Sequence, residues 1–281
     1  MKIGISNNIK FGDECYSKLK SFGFDYCDYN MSSTDIEPYN LKDRDFFQYL
    51  SNQKKLADEA GVTIWQVHGP WRYPPNDATD EDRAERFEKM TRSIEGATIL
   101  GAKYWVVHPI MPFGTKDILS DNANETRELN LEFMSKLLPI AKQEGITICL
   151  ENMPFLDFSL SSPTSIAEFV KEINDPYFRM CLDTGHTNVR KEWLSPAESI
   201  NNYGDLIKLL HVHDNNGQRD EHLAPFFGTI DWKAFSKSLQ ETKFNGVLSL
   251  ECYPNSKLPD DIFEDMYKIY FKIAKSVFEC H

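Results

Sequence analysis

The chain has 281 residues, 41% of them hydrophobic, enough for a large core and a common length for one α/β barrel. Its 31 Lys and Arg stand against 43 Asp and Glu, a net charge of -12 that argues against a broad nucleic-acid patch. The opening MKIGISNNIKFGDE is too poor in apolar residues for a signal peptide, and no stretch approaches the roughly 20 apolar residues of a membrane span.

Six cysteines (15, 27, 149, 181, 252, 280) include no Cys-x-x-Cys pair and read as reduced thiols of a soluble cytoplasmic protein. Short β-rich runs alternate with amphipathic, helix-length segments from end to end. Lys2–Ser6 reads as a strand and Asp13–Phe22 as a helix stopped by Gly23. The next strands are predicted at Phe24–Tyr29, Thr63–His68, Tyr104–His108 and Ile146–Glu151, with helices at Asp43–Ala60, Thr79–Leu100 and Asn124–Glu144 between them. A helix at Ser165–Ile173 precedes a strand at Phe178–Asp183, and a short helix follows Pro196. Leu206–His213 and Gly246–Cys252 are the last two strands, with helices at Asp231–Glu241 and Asp260–Phe278. Eight βα units with no composition break predict one domain over residues 1–281, an α/β fold closed as a single (β/α)8 TIM barrel.

In such a barrel the active-site groups sit at the carboxyl ends of the strands. His68, His108, Glu151, Asp183, His211 and Glu251 fall there. Side chains alternate across a strand, so an inward Glu151 carries Cys149 inward, Asp183 carries Cys181, and Glu251 carries Ser249. Ile148, Leu150, Leu182, Leu248 and Leu250 then face a helix layer, and Lys208 falls on the outer face, a poor Schiff-base candidate. Glu151, Asp183, His211 and Glu251 come from four neighbouring strands. Three converging carboxylates repel and raise one another's pKa unless a cation joins them, and a carboxylate–imidazole set suits Mn, Co, Zn or Mg. A single such acid is as well explained as a helix cap or an Arg partner; four at matched strand ends are not.

Around this tetrad stand His68, His108 and His186, with Asp220 and His222 spaced D-x-H in a later loop. His68 and His108 read equally as ligands or substrate contacts. Asp220 and His222 would hold an additional metal with His186, or simply fix their loop. His213 points the same way as His211, as substrate contact or ligand. Trp71 and other loop aromatics are candidate pocket walls. No Gly-x-Ser-x-Gly elbow, P-loop or Gly-x-Gly-x-x-Gly follows a strand, so nucleotide hydrolysis and hydride transfer find no support.

V-H-G-P (67–70), V-H-P (107–109), L-E-N (150–152), L-D-T-G-H (182–186), H-V-H-D-N (211–215), G-T-I-D-W (228–232) and L-E-C (250–252) occur in the order seen in the xylose isomerase-like barrel superfamily, which the chain resembles over nearly its whole length. That superfamily includes sugar phosphate isomerases and epimerases and endonuclease IV. Likeness to its ketose 3-epimerases implies one divalent metal on Glu151, Asp183, His211 and Glu251. It also implies Glu151 and Glu251 as a proton-transfer pair working through an enediolate, and His186 against a sugar or polyol substrate. The chain departs from them after strand seven, where His213-Asp214-Asn215-Asn216 replaces a Gly-Glu-x-Asn-Arg-like run. Likeness to endonuclease IV implies nine zinc ligands: His68, His108, Glu151, Asp183, His186, His211, Asp220, His222 and Glu251. There the Arg of Asp-Arg-His is Glu221 here, the Asn two after the strand-seven His is His213, and the loop after His68 differs. Replacing Arg by Glu beside metals weakens a grip on phosphate. The small-sugar reading, a metal-dependent isomerase or epimerase, is therefore preferred to a phosphodiesterase. A related lyase or dehydratase and a sugar-binding module are further alternatives, and a homodimer is an open expectation.

Overall fold

Eight parallel strands alternate with helices and close on one another in the order β1 to β8, with β8 pairing back to β1. The computed structural model describes residues 2–32, 37–71, 74–75 and 77–279, so Arg72, Tyr73, Cys280 and His281 lie outside the described residues. The strands are β1 (Lys2–Ser6), β2 (Tyr26–Asn30), β3 (Thr63–His68), β4 (Tyr104–Val107), β5 (Thr147–Glu151), β6 (Phe178–Asp183), β7 (Ile207–Val212) and β8 (Val247–Leu250). The helices are α1 (Cys15–Phe22), α2 (Glu37–Asn40), α3 (Asp43–Ala60), α4 (Asp80–Ile99), α5 (Ala123–Glu144), α6 (Pro163–Ile173), α7 (Thr184–Asn188), α8 (Pro196–Tyr203), α9 (Trp232–Glu241) and α10 (Asp260–Glu279). None of them is long and apolar enough to cross a membrane.

The predicted (β/α)8 barrel is present, with two helices added. A 3-10 turn at Ile9–Glu14 takes the first part of the segment predicted as one helix. The added helices are α2 and α7, and α7 exists because the Asp183 carboxylate accepts the His186 backbone N–H at 2.6 Å and caps it. Local chemistry sets the other boundaries. Thr79 and Asp82 form a capping box at α4, as Ser195 and Glu198 do at α8. Gly61 closes α3 at φ 69°, a left-handed conformation that glycine adopts without a Cβ clash.

The inside–outside alternation holds. Val106, Cys149, Cys181 and Leu209 make a small cluster inside the barrel, packed by Trp65 and Tyr104. Ile148, Leu150, Leu182, Leu248 and Leu250 belong to the large core between barrel and helices. Burying each such side chain is worth about 1.5–3 kcal/mol. The alternation breaks at Lys208: a register shift between Met180 and Cys181 bulges β7 there. Lys208 lies near the amino end of β7, away from His211.

Cys15, Cys27, Cys149, Cys181 and Cys252 are free and buried. Burial pushes the Cys15 thiol up to about 11 against a backbone hydrogen bond that lowers it. The folded chain therefore keeps that proton where the unfolded chain has lost it, and stability falls as pH rises through this window. In a Cys280→Ser variant at about pH 8, a thiol reagent should label no cysteine until urea unfolds the protein, and the urea midpoint at about pH 10.5 should be lower than at pH 8. Rapid native labelling, or a midpoint that rises with alkali, would contradict this packing.

Candidate active site and metal centre

Glu151 ends β5, Asp183 ends β6, His211 is the penultimate residue of β7, and Glu251 follows β8 directly. Strand register sets them side by side: Asp183 pairs with His211, and His211 with Ser249. The centre of the group is His211. Its Nδ1 is 2.8 Å from Glu151 Oε1 and 3.2 Å from Glu251 Oε2. Its Nε2 is 3.0 Å from Asp28 Oδ2, which also accepts the Gln66 amide at 2.9 Å. Burial alone would raise the Glu151 carboxyl, but the charge of His211 and the hydrogen bonds from His108 and His211 outweigh it and hold the group well below the carboxylate range. Burial likewise opposes the low position of Glu251, where His211 is again the main counterweight.

A second group meets Glu151 from β3 and β4. His108 Nε2 is 2.9 Å and His68 Nε2 3.5 Å from Glu151 Oε2. His68 Nδ1 is engaged by the Gly69 carbonyl at 2.9 Å. Burial brings the His108 imidazole down to about 4, with Glu151 working the other way, so this ring is neutral in neutral solution. A buried ion pair fixes the backbone behind it. Arg86 donates to Asp77 at 2.5 Å and to the His108 carbonyl at 3.1 Å, while Asp77 accepts the Met111 N–H. The Trp71 ring stands edge-on to His108, with centroids 4.6 Å apart.

The third group gathers around Asp220. His186 Nε2 is 3.3 Å and His222 Nε2 3.1 Å from Asp220 Oδ2. His213 Nε2 is 3.0 Å from Asp183 Oδ2 and 3.7 Å from Asp220 Oδ1. His213 is fully buried, beneath the wall rather than on it. Trp71, His68, His108, His186, Glu151 and Glu251 do line the mouth, a cavity of about 490 Å³ that also includes Phe155 and Tyr253.

These residues fit divalent cations. The donor atoms of Glu151, Asp183, His211 and Glu251 lie within 4.8 Å of one another, and so do those of His68, His108 and Glu151, and of His186, His213, Asp220 and His222. Buried Glu251 Oε2 and Asp220 Oδ1 make no hydrogen bond. His68, His186 and His222 each have Nδ1 against a backbone carbonyl, and His211 has Nε2 against Asp28. That is the outer support which metal-ligating imidazoles use to aim the other nitrogen.

The sequence reading missed Asp28, Gln66 and Asn152. An acid deep in the predicted strand Phe24–Tyr29 was the available signal for Asp28; it is 2% exposed, far below the usual value for aspartate. Asn152 ties the end of β5 to that of β6: it accepts the Asp183 N–H at 2.8 Å and donates to the Asp183 carbonyl at 3.1 Å.

A family description of a xylose isomerase-like TIM barrel matches residues 16–269. The chain belongs to this family. Protein MJ1311 of Methanocaldococcus jannaschii is 31% identical over 98% of this chain and 90% of its own length. A probable endonuclease 4 of Mycoplasmopsis agalactiae is 26% identical over 71% of each. The crystal structure of a D-tagatose 3-epimerase-like protein superposes with a TM-score of 0.74 at 29% identity, covering 98% of this chain and 99% of that one. A D-psicose 3-epimerase crystallised in the presence of D-fructose shares the fold, with a TM-score of 0.77 at 16% identity over 99% of each chain.

Asp28 tests the support argument. Asp28→Ala should weaken divalent-metal binding about 10–100-fold, by competition with a metal-sensitive dye, while the far-UV circular dichroism stays unchanged. Wild-type affinity in that variant would remove Asp28 from the site.

Proposed function

We propose that this protein is a metal-dependent isomerase or epimerase of a small sugar or polyol, and that Glu151 and Glu251 move the proton. The observation that carries this is the placement of both carboxylates at one imidazole nitrogen, 2.8 and 3.2 Å from His211 Nδ1, on a cavity sized for a small molecule. Glu151, Asp183, His211 and Glu251 would hold the divalent ion. When bound, that ion would supply electrophilic polarisation of the substrate carbonyl and charge to balance a developing oxyanion. Glu151 takes the proton from the carbon beside the carbonyl, leaving an enediolate, and Glu251 returns one from the opposite side. His108 and His68 hold Glu151 Oε2 in place and present their rings to the substrate, and Trp71 and Phe155 supply the apolar wall. The likeness to the D-tagatose 3-epimerase-like protein supports this reading.

A catalysed exchange should incorporate solvent deuterium at a carbon next to the carbonyl, read by NMR over a panel of ketoses and aldoses with the metal-loaded protein. Glu151→Gln and Glu251→Gln should each lose about 10²–10⁴-fold in turnover. Full activity in both variants on a substrate that the wild type turns over would sink the mechanism.

Three adjoining donor groups also support a second reading, a multi-metal phosphodiesterase, as does the likeness to a probable endonuclease 4. Glu221 weighs against it: this acid accepts from Asn216 and Arg219 within the loop that carries Asp220. Chelator-sensitive incision of an abasic-site duplex by the metal-loaded protein would replace the first reading; no incision is the expected outcome.

A further inference from the structure

The helix that closes the barrel, α10, carries two apolar stripes where a barrel helix needs one. Phe263, Tyr267, Tyr270, Ala274 and Val277 face the barrel and are buried. Ile262, Met266, Ile269 and Ile273 repeat the same spacing one residue earlier, on the neighbouring face of the helix. Met266 and Ile273 are partly covered at the edge of the core, whereas Ile262 and Ile269 are 45% and 43% exposed. A single exposed isoleucine is ordinary on a protein surface. Four apolar side chains in one line, at alternating steps of four and three residues, form instead the seam that one helix offers to another.

The charges along that seam complement themselves. Asp265 precedes Met266 and Lys272 precedes Ile273, so both stand on the outer flank of the stripe, and both are exposed. They lie on either side of its midpoint, and turning the helix end for end exchanges the acid for the base. A second α10 running the opposite way therefore brings its Lys272 to this Asp265 and its Asp265 to this Lys272. The helix dipole does not account for the two charges, because its effect falls off within the first and last turns. Asp265 is the sixth residue of α10 and Lys272 the thirteenth of 20. Asp265 also takes the Lys268 ammonium at 2.7 Å, but both side chains are more than half exposed, and such a surface pair is too weak to keep a second cation away.

We propose that two copies of this chain pair through α10, the helices antiparallel about a two-fold axis, with Ile262, Met266, Ile269 and Ile273 interleaved and Asp265 of each copy against Lys272 of the other. A two-fold axis makes one patch serve both sides, and this patch is complementary to itself in both shape and charge. Ile262 then meets the second copy's Ile273, and Met266 its Ile269. A parallel pair would instead set the acidic first turns, Asp260 and Asp261, side by side, where like charges repel. The four residues of the seam are far fewer than the roughly 20–30 a side of a stable interface, so the dimer is a reversible one, with a dissociation constant on the order of 10–100 µM. None of the described residues lining the mouth cavity belongs to α10, so this pairing and the reaction at Glu151 and Glu251 stand apart.

Sedimentation velocity of the full chain from about 1 to 200 µM tests the pairing. Wild type should pass from monomer to dimer across that range, and Ile269→Glu should stay monomeric with an unchanged far-UV circular dichroism spectrum. Asp265→Lys and Lys272→Asp exchange exposed charges only, so they keep the test open if Ile269→Glu fails to fold. Each sets two like-charge pairs across the axis and should weaken self-association about tenfold. Mixed in equal amounts, these two variants should form a heterodimer tighter than either forms alone, because every flanking pair is then one acid and one base. Salt at about 1 M should erase that preference, since the pairs are exposed. A wild type still monomeric at the top of the range would leave the seam to a different protein and overturn the proposal. So would an Ile269→Glu variant that dimerises as wild type does, or a mixture that associates no more tightly than its separate components.

Discussion

Glu151, Glu251 and Asp28 surround the single ring of His211, two at Nδ1 and one at Nε2, all in the interior of the barrel mouth. Like charges about 4 Å apart repel by on the order of 4 kcal/mol at an effective dielectric of 20, so this arrangement persists only with positive charge among them. The imidazole is one such charge, and a divalent ion on the Nδ1 side is a stronger one. The barrel supplies the rigidity. Closed hydrogen bonding between neighbouring strands fixes the backbone of Asp183 beside that of His211, and of His211 beside that of Ser249.

Much of the remaining structure reads as support for those few atoms. Arg86 and Asp77, a buried pair, hold the carbonyl of His108 from behind. Removing one partner of such a pair typically costs about 3–5 kcal/mol, because the other charge is left buried and alone. Asn152 locks the ends of β5 and β6 together and keeps Glu151 and Asp183 at a constant spacing. Asp183 serves three structures at once: it lies in the donor tetrad, caps α7 and faces His213. This economy links the inner group to the one around Asp220.

The two readings of the reaction differ less in fold than in what borders the mouth. This chain resembles proteins named for sugar epimerisation and for endonuclease action alike, and a shared fold by itself selects neither activity. Glu221 beside Asp220, and His213 made possible by Gly185, are where this chain's own chemistry shows. Both lie in or against the segment after β7, which is where a barrel changes function without changing its core.

Strand-end polarity was legible because it violates the apolar grammar of a buried strand. His68, His108, Glu151, Asp183, His211 and Glu251 each stop a hydrophobic run, and the period-two alternation beneath them correctly put Cys149 and Cys181 inside. Eight such runs spaced by helix-length segments determined the barrel. Asp28 escaped notice because it lies within its run rather than at the end, and its partners Gln66 and His211 are 38 and 183 residues away. The bulge opposite Met180 and Cys181, which adds Lys208 to β7, was not legible because it is a property of two paired strands. The sequence by itself determined which residues reach the mouth, since side-chain period is local. Which of them meet was decided by tertiary structure alone: the three donor groups, the stacking of His213 on His222 and the room that Gly185 leaves all depend on barrel closure bringing distant strand ends and one loop to the same few ångströms.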